Sequence, residues 1–426
     1  MNIAQLHEIF LNSSGVCTDT RKIEPGCLFF ALRGENFDGN RFTDEALEKG
    51  ALKVVIDNIR YHRNSGDTIL HGNALELLQE LATYHRKYLG IPILALTGSN
   101  GKTTTKELVD RVLSKRFKTT ATRGNLNNHI GVPLSLLSMD AQTEIGIVEM
   151  GANHQKEIEF LSGIALPDYG LITNFGKAHL EGFGGVEGVI KGKSELYHHL
   201  REHEKLVFVN GNDPKQMELT QNMKRYVFGP ANSDCPVELT DSTDTLAVTF
   251  RGVAATTNLI GDYNFGNVAN AIAVGSYFEI EPQEIKEAIA SYFPDNNRSQ
   301  LLQKGGFEIV LDAYNANPNS MMAALRTFDK RKGAPKVAVL GDMFELGEDA
   351  AFEHQVIADY VSTRDHWNVF LVGENFARTT TKGKHIRTFA DFDRFKQAWG
   401  SLDLDSGLLL LKGSRGMAIE RVLELL

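Results

Sequence analysis

Cysteine is scarce in this chain of 426 residues. Cys17, Cys27 and Cys235 are the only three, with no C-x-x-C pair among them, so neither a disulfide framework nor a cysteine-rich zinc site can be built. That usage fits a reducing, cytoplasmic compartment. Long apolar runs are missing too. The longest, such as Leu408–Leu411, fall far short of the ~20 residues needed to cross a bilayer. Residues 1–10 lack the basic start and apolar stretch of an export signal. Neither membrane insertion nor export is expected. Basic charge is in deficit: 45 Lys and Arg stand against 54 Asp and Glu, a formal charge of −9. Without a lysine-arginine block, nucleic acid is not an expected partner, and small-molecule chemistry is the better expectation.

What is present is ordinary globular composition, 42% apolar and 23% charged, which excludes disorder and fibrous architecture. A single core stops growing near ~250–300 residues, so several domains are expected. The chain divides into blocks 1–88, 89–296 and 297–426. In the first, the runs Cys27–Leu32 and Lys53–Ile56 precede a helical pattern through Ala74, Leu77, Leu78, Leu81, Tyr84 and Tyr88. Gly90-Ile91-Pro92 marks a break. The second carries buried-strand runs at Ile93–Leu96, Ile145–Val148 and Gly170–Thr173 with helix-like segments between, and a helix-like stretch over Val189–Leu200. The third alternates strands at Glu308–Leu311, Val337–Leu340, Val369–Val372 and Leu408–Leu411 with helices, ending in a helix through Met417, Ile419, Val422, Leu423 and Leu426. The expected fold is α/β in three domains: a first α/β domain, a central P-loop domain with a mostly parallel sheet, and a Rossmann-like third.

The strongest chemical signal is Thr97-Gly98-Ser99-Asn100-Gly101-Lys102-Thr103-Thr104, between a buried strand and a helix-like run. Glycines let successive N–H groups face one anion, the helix N-terminus adds its dipole, Lys102 neutralises phosphate oxygens, and the Thr103 hydroxyl can ligate Mg²⁺. Leu96 stands where the full P-loop pattern has its first glycine. A plain strand-to-helix turn is the alternative. Glu149 ends the next strand, at the sheet edge where ligands collect and a phosphate-bridging cation needs oxygen; a solvated strand end is its bland counterpart. His179 lies in the glycine-rich loop Asn174–Gly184. Lys191 and Lys193, two apart on a helical stretch, face different directions, and simple solvated lysines are the alternative there.

The chain resembles the Mur ligase family of ATP-dependent, amide-forming enzymes of peptidoglycan synthesis, over essentially its whole length. The strings that carry this are Thr18-Asp19-Thr20-Arg21, Pro25 through Gly39, the phosphate loop extended by Thr105-Lys106-Glu107, Gly124 through Leu134, Asp312-Ala313-Tyr314-Asn315-Ala316-Asn317-Pro318, Gly341-Asp342-Met343-Phe344-Glu345-Leu346-Gly347, and Lys412-Gly413-Ser414-Arg415. Within the family they look most like the members that add D-alanyl-D-alanine to UDP-N-acetylmuramoyl-tripeptide.

By that resemblance the first domain binds the uridine substrate through Thr18, Asp19, Thr20, Arg21, Arg33, Asp38 and Gly39, with Asn125, Asn127 and Asn128 of the central domain. Arginine suits a diphosphate because its planar fork binds two oxygens at once. ATP is implied at Gly98, Ser99, Asn100, Gly101, Lys102, Thr103, Thr104, Asn267, Asn270, Arg298, Asp312 and Tyr314. Mg²⁺ is implied at Thr103, Glu149 and His179, with Lys193 as the lysine the family carbamylates with CO₂, and Lys191 as the solvated neighbour. Lys102, Glu149, His179 and Lys193 are the implied catalytic set. Two departures stand out: a histidine is usual near Asn264, and Asn297 stands where glycine is common.

The implied reaction phosphorylates a carboxylate with ATP and then joins the acyl phosphate to an amine, in a cytoplasmic monomer that closes on ATP. The alternatives are a family member adding diaminopimelate or lysine, folylpolyglutamate synthase, and a non-catalytic P-loop switch, which needs the phosphate loop but not Glu149, His179 or Lys193.

Overall fold

The computed structural model describes residues 1–400 and 404–426. Its strands form three principal sheets. The first is parallel and holds Val16–Cys17, Leu28–Phe30, Lys53–Ile56 and Thr68–Leu70, beside a small hairpin of Arg33–Gly34 and Phe37–Asp38. The central sheet has nine strands. Six run parallel in the order Thr119–Ala121, Ile145–Glu149, Ile93–Thr97, Tyr169–Ile172, Leu206–Asn210 and Lys224–Gly229. Cys235–Asp241 continues the parallel run, and Ala247–Phe250 and Val253–Thr256 extend it antiparallel. In the third sheet, Gln300–Lys304 pairs antiparallel with Phe307–Asp312, followed in parallel by Gly407–Lys412, Lys336–Gly341, Trp367–Val372 and Ile386–Phe389. The fold is therefore the expected three-domain α/β architecture, in which each βα unit buries its strand beneath helices.

The order of the central sheet locates the site. After Ile93–Thr97 the chain leaves to the edge, returns at Ile145–Glu149, and then crosses to Tyr169–Ile172 on the other side. The carboxyl end of Ile93–Thr97 is thus a topological switch point, where an open sheet leaves a crevice for a ligand.

Helix Ala74–Leu89 starts where the Asn73 side chain accepts from Leu75 N and Glu76 N, and stops at Gly90 with φ 63°, the left-handed conformation glycine adopts at little cost. It belongs to two domains. Its buried Leu78 and Leu81 join Leu6 and Phe30 of the first domain to Val132, Leu136, Ile158 and Leu161 of the central one in a single apolar cluster. Arg86 adds an ion pair to Asp168 at 2.6 Å. Cutting either buried leucine to alanine costs about 2–5 kcal/mol.

Two helices differ from expectation. Val189–Leu200 is not continuous: helices Val186–Lys193 and Glu195–Glu202 meet at Ser194. Lys193 through Tyr197 are all buried, a run longer than one helical turn, which one face of a single helix does not cover. The terminal segment is not α-helical but forms 3₁₀ turns at Arg415–Met417 and Ile419–Leu425, interrupted at Ala418 with φ 47°. Its buried Ile419 and Val422 stand three apart, the spacing that aligns side chains in a 3₁₀ helix.

Candidate active site

The phosphate loop leaves a fully buried strand and is pressed tightly into place. A Cβ on Gly98, at φ +142°, would come within 2.0 Å of Thr173 Oγ1, and one on Gly101, at φ +80°, within 2.2 Å of Asn267 Oδ1. Only glycine fits both positions. Helix Lys102–Leu113 opens with Gly101 as its N-cap, which offers no side chain to the first amide groups. Those donors, with the helix dipole behind them, are available to an anion.

Ser99, Asn100, Gly101, Lys102, Thr103 and Thr104 line a cavity of about 860 Å³. Lys102 Nζ donates to Gly98 O at 2.6 Å. Burial lowers its pKa to about 8, with Glu149 opposing the shift and Arg298 adding to it. Glu149, buried at the end of its strand, accepts from Asn127 Nδ2 at 2.8 Å through Oε1, while Oε2 is buried without a hydrogen-bond partner. A buried carboxylate oxygen left unpaired is costly and marks where a cation or donor belongs.

His179, in a left-handed conformation at φ 52°, lines the same cavity. Its Nδ1 stands 2.5 Å from Glu345 Oε2 of the third domain, and that contact lowers the Glu345 pKa. Lys193 lies one layer behind the wall. Its Nζ donates to the carbonyl of Ala152, a lining residue, at 3.0 Å and sits 4.8 Å from the Phe183 ring centroid. Burial, then the charge of Lys102, holds its pKa well below the ordinary lysine value. Lys191 is exposed.

The third domain closes the opposite wall. Asp312, at a strand end, pairs with Lys412 at 2.5 Å and accepts from Ser299 N at 3.1 Å. The Arg298 and Arg415 guanidinium groups lie 3.6 and 5.1 Å from the Tyr314 ring centroid. Asn317, Asn319 and Glu353 bond to Asn100, Lys177 N and Lys177 Nζ respectively, at 2.7, 2.9 and 2.6 Å.

The structure gathers most of the expected residues but not all. Asn125, Asn127, Asn128, Asn267, Arg298, Asp312 and Tyr314 line the cavity. Asn270 does not: its Nδ2 turns back to Gly266 O at 2.8 Å, inside its own helix. Gly98 contributes backbone beneath the lining. The first-domain set stands apart from this cavity. Asp19 and Arg21 pair with each other at 2.7 Å around a 3₁₀ turn that contains Thr20 and follows Thr18. Arg33 pairs with Asp57 at 2.7 Å, Asp38 accepts from Asn40, and Gly39 packs against the Leu32 carbonyl. Sequence reasoning assigned no role to Lys412, Arg415, Asn317 or Glu345. Lys412 had a signal, since it ends a buried strand as Glu149 does.

Among the described residues no group of three or more His, Cys, Asp or Glu side chains stands ready to hold a metal. The donor set at the loop still fits Mg²⁺, which binds one or two protein oxygens and takes the rest from phosphate and water. Glu149 Oε2 is such an oxygen.

Three descriptions match successive parts of the chain: the Mur ligase family catalytic domain at residues 12–86, the Mur ligase middle domain at 96–275, and the Mur ligase glutamate ligase domain at 297–415. The chain belongs to the Mur ligase family. This Mur ligase is 34% identical over 421 residues to the UDP-N-acetylmuramoyl-tripeptide--D-alanyl-D-alanine ligase of Bacillus subtilis, covering 96% of the chain and 92% of that relative. Its structure is similar to a MurF crystal structure from Acinetobacter baumannii, with a TM-score of 0.86 at 26% identity, covering 99% and 98% of the two chains. It is also similar to the Thermotoga maritima MurF ligase in complex with ADP, with a TM-score of 0.84 at 26% identity over 97% of each.

Proposed function

We propose that this Mur ligase joins D-alanyl-D-alanine to UDP-N-acetylmuramoyl-tripeptide with ATP, in the cytoplasm and as a monomer. It is an ATP-dependent ligase that forms an amide bond. The observation that carries the ATP-dependent chemistry is one cavity in which an open helix N-terminus, Lys102 and the free oxygen of Glu149 face Asp312, Tyr314 and Arg298 of the third domain; the choice of substrates rests on the similarity to the D-alanyl-D-alanine ligases.

A carboxylate and an amine do not condense in water without activation. The tripeptide carboxylate attacks the γ-phosphorus, ADP leaves, and an acyl phosphate results; the dipeptide amine then attacks the acyl carbon, phosphate leaves, and the amine gives up a proton. The first step brings two anions together. Lys102 and the first amides of helix Lys102–Leu113 offset that repulsion and stabilise the phosphoryl group in transfer. Thr103, Glu149 and His179 would hold Mg²⁺, which when bound neutralises phosphate oxygens. Arg298, Tyr314 and Asp312 hold the nucleotide from the third domain, and Asn267 limits the loop from below. The uridine end is held by Thr18 through Arg21, Arg33, Asp38 and Gly39.

Lys193 is suited to carbamylation because burial holds its amine pKa well below the ordinary lysine value, which favours the uncharged form that adds to CO₂ to give a carbamate and a proton. The product puts an anion at the Ala152 wall, where a protonated lysine would put a cation.

The test is an acceptor panel. Full-length protein with ATP and the UDP-muramoyl substrate is offered D-alanyl-D-alanine, diaminopimelate, lysine and glutamate separately. Amide formation with the dipeptide alone is expected. Amide formation with a single amino acid, or none with any acceptor, overturns the assignment.

A further inference from the structure

Residues 291–299 connect helix Pro282–Ala290 to the strand Gln300–Lys304 and carry the chain from the central domain into the third. Glu107 holds the first part of this linker. Its Oε2 accepts from the Tyr292 hydroxyl at 2.7 Å, and its two carboxylate oxygens take the Asn296 amide at 3.1 and 3.2 Å. Asn258 also ties the Tyr292 carbonyl at 3.2 Å. One residue later the allegiance changes. The Asn297 carbonyl accepts from Tyr314 N at 3.1 Å, and Ser299 N donates to Asp312 at 3.1 Å, both in the third domain. Asn297 and Ser299 adopt φ 58° and 50°. Ser299 Oγ also shares a 2.6 Å hydrogen bond with Tyr263 of the central domain. The backbone therefore passes from one domain to the other at Asn297, between an Asn296 held by one domain and a Tyr314 contact in the other.

Glu107 sits on helix Lys102–Leu113, five residues past Lys102, about one and a half turns at 3.6 residues per turn. The anchor of the hinge and the phosphate loop are parts of one rigid element. Burial, reinforced by the Glu107 charge, raises the Tyr292 pKa, so the phenol stays a donor to that carboxylate.

We propose that Glu107 is a positioning residue that fixes the central-domain end of the hinge to the phosphate-loop helix, so that the third domain closes about Asn297 in register with the loop. This rests on the acyl-phosphate reading above. An acyl phosphate met by the dipeptide amine gives amide and phosphate; met by water it gives back the carboxylate and phosphate. A loosened hinge admits water and releases phosphate without amide.

The ratio of phosphate released to amide formed reads this directly, because it does not depend on how much of the enzyme is folded. Full-length wild type, Glu107→Gln and Asn296→Ala are compared with ATP, the UDP-muramoyl tripeptide and D-alanyl-D-alanine. Lys115→Ala is the control: it breaks the 3.1 Å pair with Glu287 just past the C-terminal end of the same helix without touching the linker. Wild type and Lys115→Ala are expected at one phosphate per amide, and both linker variants at about twofold or more. A ratio of one in Glu107→Gln and Asn296→Ala, whatever their rates, overturns the proposal. So does a raised ratio in Lys115→Ala, which would point to general loosening of the helix. Phosphate release by wild type with no amide at all would overturn the ligase reading itself, and this inference with it.

Discussion

Asn317 of the third domain donates its side-chain amide to Asn100 of the phosphate loop at 2.7 Å. The same side chain caps helix Pro318–Lys330, its oxygen accepting from Ser320 N in a capping box. One residue thus starts a helix and touches the loop that grips the nucleotide. Replacing Asn317 with Asp separates the two roles. The cap is kept, since Asp is as good as Asn there, and stability should change by no more than about 1 kcal/mol. The donor to Asn100 is replaced by a carboxylate oxygen facing an amide oxygen, so turnover should fall at least tenfold. Thermal melting and steady-state rates measured together check both halves.

Glu149→Gln should do the opposite of most core substitutions. Its Oε2 is buried without a partner, so exchanging the charged oxygen for an amide relieves a desolvation cost on the order of 1–3 kcal/mol. The protein should melt higher while turnover drops a hundredfold or more, because the oxygen offered to the phosphate-bound cation is gone. A variant that melts lower and keeps its rate would contradict this.

Much of this site is local in the chain, and that is why it was readable. Strand, glycine turn, lysine and helix are consecutive from Ile93 to Leu113, and the Glu149 position follows from the rule that buried parallel strands end at the ligand edge. That Lys191 and Lys193 face different directions follows from their spacing on a helix; that Lys193 is the buried one does not, and was implied only by the family resemblance. The third-domain wall was harder. Lys412 meets Asp312 across 100 residues, and Asn317 meets Asn100 across 217. No periodicity encodes such pairings. The break at Ser194 and the 3₁₀ character of the terminus were equally hidden, since apolar spacing of three and four looks alike over two turns. In the first domain, the Asp19–Arg21 pair is a short-range turn, and nothing in its spacing tells a turn from an anchor.

Lys193→Ala should abolish turnover, and short carboxylates such as formate or acetate should restore part of it by placing an anion where the proposed carbamate would stand. Bicarbonate depletion should lower wild-type activity in parallel. Full activity of Lys193→Ala would show that its amine is only structural.

The first and central domains meet over a buried histidine pair with a defined proton. His85 Nε2 faces the Met139 carbonyl at 2.9 Å and must donate, so its Nδ1, 3.0 Å from His7 Nε2, accepts. Burial lowers both pKa values from 6.5, with His85 adding for His7 and the Met139 bond opposing for His85. As pH falls through 6.5 the unfolded chain takes up protons that the folded pair resists, so stability is present above that pH and lost below it. Asp140, the acidic group near His85, moderates the loss. The double variant His7→Phe/His85→Leu should flatten the slope of unfolding free energy between pH 6.5 and 5 in denaturant titrations.

Asn297 tests the hinge conformation itself. At φ 58° asparagine is tolerated and alanine is strained. Asn297→Gly should be nearly neutral in stability, whereas Asn297→Ala should cost about 1 kcal/mol; equal melting temperatures for the two would contradict a left-handed pivot.

The most direct test of the chemistry omits the dipeptide. Protein, ATP, Mg²⁺ and UDP-N-acetylmuramoyl-tripeptide are incubated with hydroxylamine, which intercepts an activated carboxylate as a hydroxamate. The account predicts muramoyl hydroxamate accompanied by ADP in equal amount. AMP and pyrophosphate in place of ADP, or ADP formed with no hydroxamate, would contradict it.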